Sequence, residues 1–268
     1  MDTKKKVGLN VLFFIVTLVV NALGAFGLIN GMSQSDVSDK YFTLITPSGF
    51  TFSIWSLIYG LLAISFVVLY LRREKDYYRK ALDRITPLFI LSSLMNMAWI
   101  VLFSFEMVEL STLFIFVYTI VLSLICKQLL ELNDGKHFLL PLTFGLNTGW
   151  LMIATVVNVA ASLVKINWNG FGMSDTIWAI ITLFLAILIV IFVTIQNQNA
   201  AIPLPIAWAF YGIHKSLATA HTGDHSLLQI VAIAGIVILI GAAAIQFYKN
   251  NYHILPKFTN NYSTLSTK

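Results

Sequence analysis

The side chains best placed to do chemistry in this sequence are tryptophans and asparagines set inside apolar runs. Asn96, Trp99 and Phe103 fall at i, i+3 and i+7, and Asn147, Trp150, Ala154 and Asn158 at i, i+3, i+7 and i+11. Trp55 and Tyr59 are i and i+4. On a helix each set shares one face. An amide in hydrocarbon is costly unless paired, so Asn96, Asn147 and Asn158 are expected to face other helices rather than lipid, and the tryptophans beside them to face inward too. Three such helices could enclose a pocket with flat apolar walls and a few hydrogen-bonding groups, suited to a planar aromatic or sterol-like ligand. The same pattern is equally compatible with amides that only join helices and tryptophans that fill space or sit in interfacial belts, Trp55 and Tyr59 being the most belt-like.

Templates for catalysis and metal binding are empty. There is no nucleophile elbow, zinc-protease motif, Cys-x-x-Cys pair, phosphate loop or dinucleotide fingerprint. His137, His214, His221, His225 and His253 show no metal-site spacing on one helix face. His221 and His225 are four apart, but at the edge of a span, where a loop need not keep helical spacing. Cys126 is alone and reads as a small core hydrophobe. The expectation is a non-enzyme with no catalytic residues, no metal and no resident cofactor.

The elements that must position these residues are long apolar helices. Hydrophobic residues make up 58% of the 268 and charged residues 11%, against about 25% charged in soluble domains. A spanning helix needs roughly 20 mostly apolar residues, since every backbone amide must be satisfied within the segment. Spans are expected at Val7 to Asn30, Phe50 to Leu71, Ile85 to Phe105, Leu110 to Leu130, Phe138 to Val164, Thr176 to Ile195, Ile202 to Ala220 and Leu227 to Phe247. The fold class is thus an all-α integral membrane protein with about eight transmembrane helices. The seventh span contains Pro203, Pro205, His214 and Lys215, and on hydropathy alone could be re-entrant.

Charge distribution favours its crossing. With eight spans, Lys4, Lys5, Lys6, the basic cluster from Arg72 to Arg84, Lys127, Lys136, Lys249, Lys257 and Lys268 share one side, and Lys40 and Lys165 the other. The rule that cytoplasmic loops are Lys/Arg-rich then puts both termini in the cytoplasm of a multi-pass cell-membrane protein. The net charge of +5 serves topology and anionic lipid headgroups, not nucleic acid. In the first span, Gly24, Gly27 and Gly31 are expected to permit close helix approach within the bundle.

Three segments carry a family resemblance. Tyr41 to Gly60 is similar to the outer loop and second-helix start of the TspO/MBR family (tryptophan-rich sensory or translocator proteins), with Tyr41, Leu44, Pro47, Phe52, Trp55 and Tyr59 at matching places. Leu94 to Phe103 resembles the family's LxLNxxWxxLF run, and Trp150 to Asn158 its fifth-helix WxxxAxxxN pattern. The resemblance covers about residues 7 to 164. It implies a five-helix bundle that binds porphyrins, other tetrapyrroles or sterol-like lipids in a pocket open outward and closed by the first loop, with Trp55, Tyr59, Asn96, Trp99, Phe103, Trp150, Ala154 and Asn158 as ligand-binding residues, and helical spacing adds Asn147 to that set. It also implies a tendency to form homodimers. The double proline expected before Trp55 is missing, and Pro141 stands nine residues before Trp150 in place of a nearby Pro-Tyr, so the cover of the pocket is the least transferable part.

Residues 165–268 add three spans to the unit formed by 1–164. Trp208, Tyr211 and Lys215 follow i, i+3 and i+7 there; Lys215 is expected to snorkel and His214 to form an internal hydrogen bond. The functional expectation is a membrane protein binding a hydrophobic small molecule. A secondary transporter of a small solute is the alternative, for which the proline-interrupted seventh span is the pointer.

Overall fold

The computed structural model of the chain describes residues 2–133, 135–219 and 225–257. Its elements are α1 (Thr3–Ala25), α2 (Gln34–Lys40), α3 (Ile54–Leu71), α4 (Asp76–Ser104), α5 (Val108–Glu131), α6 (Leu139–Lys165), α7 (Asp175–Asn197), α8 (Pro203–Thr219) and α9 (Ser226–Lys249), with 3-10 turns at Gly49–Ser53 and Gly170–Gly172. No strand occurs among the described residues. Among the described residues seven helices are long and apolar enough to cross a membrane; the seven-residue α2 is not, and of the eight expected spans only α8 falls short.

Local signals fix the helix ends. The short α2 begins with a reciprocal capping box between Ser33 and Asp36, α7 is capped by the Ser174 hydroxyl, and α7 stops where Gln198 turns left-handed. Such caps satisfy amides that a helix start leaves without partners. α4 begins nine residues before the expected Ile85, because Asp76 pairs with Arg79 and Lys80 on the first polar turn. α1 runs earlier than expected, from Thr3 rather than Val7, and ends at Ala25. Gly27 and Gly31 therefore lie beyond the helix with positive φ, and only Gly24 makes a close helix contact, against Ile100 of α4.

The central element is α6: 78% of its apolar window is buried, against 28–44% for the other six candidate spans. It packs against α3, α5, α7 and α8, while α4 lies between α1 and α5, and α9 joins α7 to α8. The seat for the C-terminal helices is a pair of glycines. A methyl at Gly145 would lie 2.7 Å from the Asn199 amide, and one at Gly149 would overlap the Ile202 carbonyl oxygen. Asn199 fills this notch, donating from Nδ2 to the Pro141 carbonyl at 2.9 Å and accepting from Ala201 N at 2.9 Å.

The loops gather on two faces. On one, Lys6 pairs with Asp83, Arg84 pairs with Glu131 at 2.8 Å, Asn133 Nδ2 donates to the Pro256 carbonyl, and Ala200 N donates to the Ile254 carbonyl. Both ends of the described chain thus lie on this face, together with the basic loop after α3. On the opposite face Lys40 and Tyr41 meet Glu106, and Lys165 meets Glu109. α8 starts at the first face and reaches the turn before α3 on the other: Ser48 N donates to the Gly212 carbonyl, and Trp208 Nε1 donates to the Thr51 carbonyl at 2.9 Å. At about 26 Å it is a little short of the roughly 30 Å hydrocarbon layer, which buried packing against α6 and α9 accommodates. The expected end of this span at Ala220, like His221 and Lys268, lies outside the described residues.

Around the bundle, large apolar side chains such as Val67, Phe116, Phe192, Val237 and Ile240 point outward. That is the distribution expected of helices whose solvent is lipid rather than water.

Candidate functional site

The faces identified by spacing converge at the end of the bundle beneath α2. α3 brings Trp55, α4 brings Trp99 and Phe103, and α6 brings Trp150, Ala154 and Asn158; all six line one cavity of about 60 Å³. Its cover consists of Gln34 and Ser38 from α2 with Pro47 and Phe52 from the segment before α3, and α8 contributes Ala209. The rings form a box. Trp150 meets Trp55 edge-on at 6.1 Å and Phe52 edge-on at 6.1 Å, and Trp55 stacks on Tyr59 at 5.1 Å with 17° between planes. Trp55 and Tyr59 are thus turned into the bundle and not into an interfacial belt.

Asn158 sets the far wall. Its Oδ1 accepts from Trp99 Nε1 at 3.0 Å, while Nδ2 donates to Thr112 Oγ1 at 2.6 Å and lies 3.2 Å from Ser111 Oγ. Thr112 in turn bonds Ser162 at 2.7 Å. Asn158 is therefore a clamp that locks the Trp99 indole and joins α4, α5 and α6. Its amide is committed within the protein. The polar atoms left over at the cavity are different ones: Trp150 Nε1 and Gln34 Nε2 are buried without hydrogen-bond partners.

Three of the expected site residues lie elsewhere. Tyr59, Asn96 and Asn147 do not line the cavity; each sits about one helical turn deeper than Trp55, Trp99 and Trp150 respectively. Asn96 Oδ1 accepts from Asn21 Nδ2 of α1 at 2.6 Å. The hydroxyls of Tyr59 and Tyr118 lie beside Asn96, and that of Tyr118 also beside Asn147. Tyr59 Oη, Asn96 Nδ2 and Asn147 Oδ1 remain unpartnered in this buried cluster. Asn96 is 0%, Asn147 1% and Asn158 4% exposed, so all three amides face the interior as expected, but they divide between a cavity wall and a polar core beneath it.

Among the described residues no charged side chain lines the cavity. Beside the cover, Glu106 takes hydrogen bonds from Lys40 and from Tyr41 Oη. These bonds, Lys40 first, hold the Glu106 carboxyl below its ordinary range. Among the described residues no cluster of His, Cys, Asp and Glu could hold a metal ion; His221 lies outside them. His214 Nδ1 is buried without a partner, in place of the expected hydrogen bond. Lys215 is exposed over the Tyr211 ring at 5.6 Å, as snorkelling requires.

Ile153, Val157 and Ala161 also line the cavity. They continue the helical period of Trp150 and could have been read from it. Gln34, Ser38 and Ala209 carry no such signal, because the short polar α2 and the distant α8 bring them in.

A family model described as TSPO-like protein matches residues 7–245. No curated protein matches the chain, and no solved structure does.

Proposed function

The chain belongs to the TSPO-like family, and on that premise we propose that it binds a flat hydrophobic small molecule, a tetrapyrrole such as a porphyrin or a sterol-like lipid, in the cavity walled by Trp55, Trp99 and Trp150. The observation that carries this reading is the aromatic box itself: three indoles from three helices, with Phe52 and Phe103, around a space with no charge and two unpartnered donors. Ring faces supply contact area and the leftover N–H groups supply orientation. Binding, not catalysis, is the proposed activity.

Size adds a step. Cavities that hold drug-sized ligands measure about 300–1,000 Å³, and this one measures about 60 Å³. Entry of such a ligand therefore requires the cover from Gln34 to Phe52 to lift. The basic face is read as cytoplasmic in the cell membrane, which puts the cover on the outer side. A homodimer is the assembly that the family resemblance implies. A secondary transporter is the second reading, favoured by the short, buried α8 with its unpartnered His214.

The test is titration of purified protein with protoporphyrin, followed by tryptophan quenching and the Soret band. Saturable binding weakened in Trp55→Phe, Trp99→Phe and Trp150→Phe is expected. Absence of saturable binding in the wild type sinks the tetrapyrrole reading, and unchanged affinity in all three variants moves the site elsewhere. Ion-dependent solute uptake into proteoliposomes selects the transporter.

A further inference from the structure

A second cavity lies at the other end of the bundle, between α7 and α9. It measures about 370 Å³ and is walled by Ile191 and Ile195 of α7 and Ile238 and Ile245 of α9, with Thr194 and Lys249 at the basic-face end. Its shape comes from a missing side chain. Gly241 lines it, and a methyl built there would meet nothing within 4 Å. The mouth is held in place, because Asn250 Nδ2 at the end of α9 donates to the Gln198 carbonyl just after α7 at 2.8 Å.

We infer that this groove binds one anionic phospholipid of the basic-face leaflet, with an acyl chain between the isoleucines and the phosphate at Lys249. Three observations converge on that occupant. From Ile238 to Lys249 the groove runs about 16 Å at 1.5 Å per residue, close to half of the roughly 30 Å hydrocarbon layer, the depth of a single leaflet. Lys249 is exposed and has no ion-pair partner among the described residues. An unpaired ammonium at the membrane surface attracts anionic headgroups. Thr194, 2% exposed, lines the groove with its hydroxyl buried and unpartnered. It lies one turn from the end of α7, below the level of Lys249, where the ester carbonyl of a lipid so placed would accept its hydrogen bond. A zwitterionic lipid satisfies the groove and Thr194 but brings a cationic group beside Lys249, so the occupant is anionic.

The experiment is native mass spectrometry of the full-length protein in detergent, with phosphatidylglycerol or phosphatidylcholine of the same acyl chains added at equal concentration. The wild type is expected to retain one phosphatidylglycerol at least 10-fold more than phosphatidylcholine. Gly241→Leu fills the groove from a position with open space and should remove the retained lipid while leaving thermal stability intact. Lys249→Gln should bring the two lipids to equal retention, and Lys75→Gln, another exposed lysine on the same face, should leave the preference unchanged. Equal retention of both lipids by the wild type overturns the inference, and that comparison stands even if a variant fails to fold. Undiminished retention by folded Gly241→Leu, or loss of the preference in Lys75→Gln as readily as in Lys249→Gln, overturns it as well.

Discussion

Gly149→Ala should be far more damaging than its single methyl suggests. The added carbon would overlap the Ile202 carbonyl oxygen and lie 3.0 Å from Ile206 Cδ1 and 3.1 Å from the Ile202 carbonyl carbon. Ile202 cannot simply retreat, because the linker before α8 is tied by Asn199 to Pro141, by Ala201 N to Asn199 and by Ala200 N to Ile254. Overpacking a fitted site costs about 1–3 kcal/mol, and each tie broken in relaxation costs roughly 0.5–1.5 kcal/mol more. Replacing glycine within a helix returns only about 0.5–1 kcal/mol. With one tie broken the net expectation is a loss of about 0.5–4 kcal/mol, which thermal unfolding in detergent should register as a fall of at least ~1 °C. Gly60→Ala is the control, since nothing lies within 4 Å of the methyl there; it should be neutral or mildly stabilising. Ligand affinity should fall in Gly149→Ala as well, because Trp150 is the next residue and Ala209 of α8 shares the cavity. Equal melting temperatures for the two variants would refute the docking of α8 on α6.

Asn158→Leu leaves the Trp99 indole N–H without its acceptor; a loss of about 1–3 kcal/mol and a shifted tryptophan emission are expected on unfolding and fluorescence measurements. The Glu106 carboxyl titrates below its ordinary value of 4.5 because Lys40 and Tyr41 bond it. Its tie to the cover is therefore complete at neutral pH and is lost as pH falls below 4.5 and through the lowered value, so stopped-flow ligand association should accelerate on acidification and Glu106→Gln should be fast already at pH 7. Trp208→Phe removes the bond to the Thr51 carbonyl and should speed association about 2- to 10-fold if cover opening limits entry; an unchanged rate separates α8 from the cover. In a Cys126→Ala background, cysteines at Glu74 and Lys257 should react with an impermeant reagent from the same side and a cysteine at Met173 from the other. Opposite sides for Glu74 and Lys257 would contradict eight crossings.

Much of the bundle was legible because membrane helices announce themselves by length and apolarity, and the errors fell where that signal fades. The first polar turns of α4 carry no apolar signal, since Asp76, Arg79 and Lys80 look like loop until their pairing is seen. The small-residue spacing of Gly27 and Gly31 fits a helix face and does not reveal that the chain has already turned. At the site, periodicity picks out the faces of α3, α4 and α6 that turn inward. It does not give the depth at which the cavity ends, so it groups Tyr59, Asn96 and Asn147 with the residues one turn above them.

The cover shows what lies beyond periodicity altogether. Gln34 reaches the aromatic box from the short α2, and Pro47 and Phe52 from the segment before α3, and this cover is held from two directions: by Glu106, and by Thr51 and Ser48 against α8. The second hold comes from more than 150 positions away in sequence, where Gly212 and Trp208 fit against the turn because Gly145 and Gly149 let the start of α8 settle into α6. Movement of the cover must then break bonds to α8 or carry α8 with it. A volume of about 60 Å³ is too small for any ligand of the proposed size without such movement. The C-terminal helices therefore bear on the site by restraining its opening as well as by supplying Ala209 to its wall.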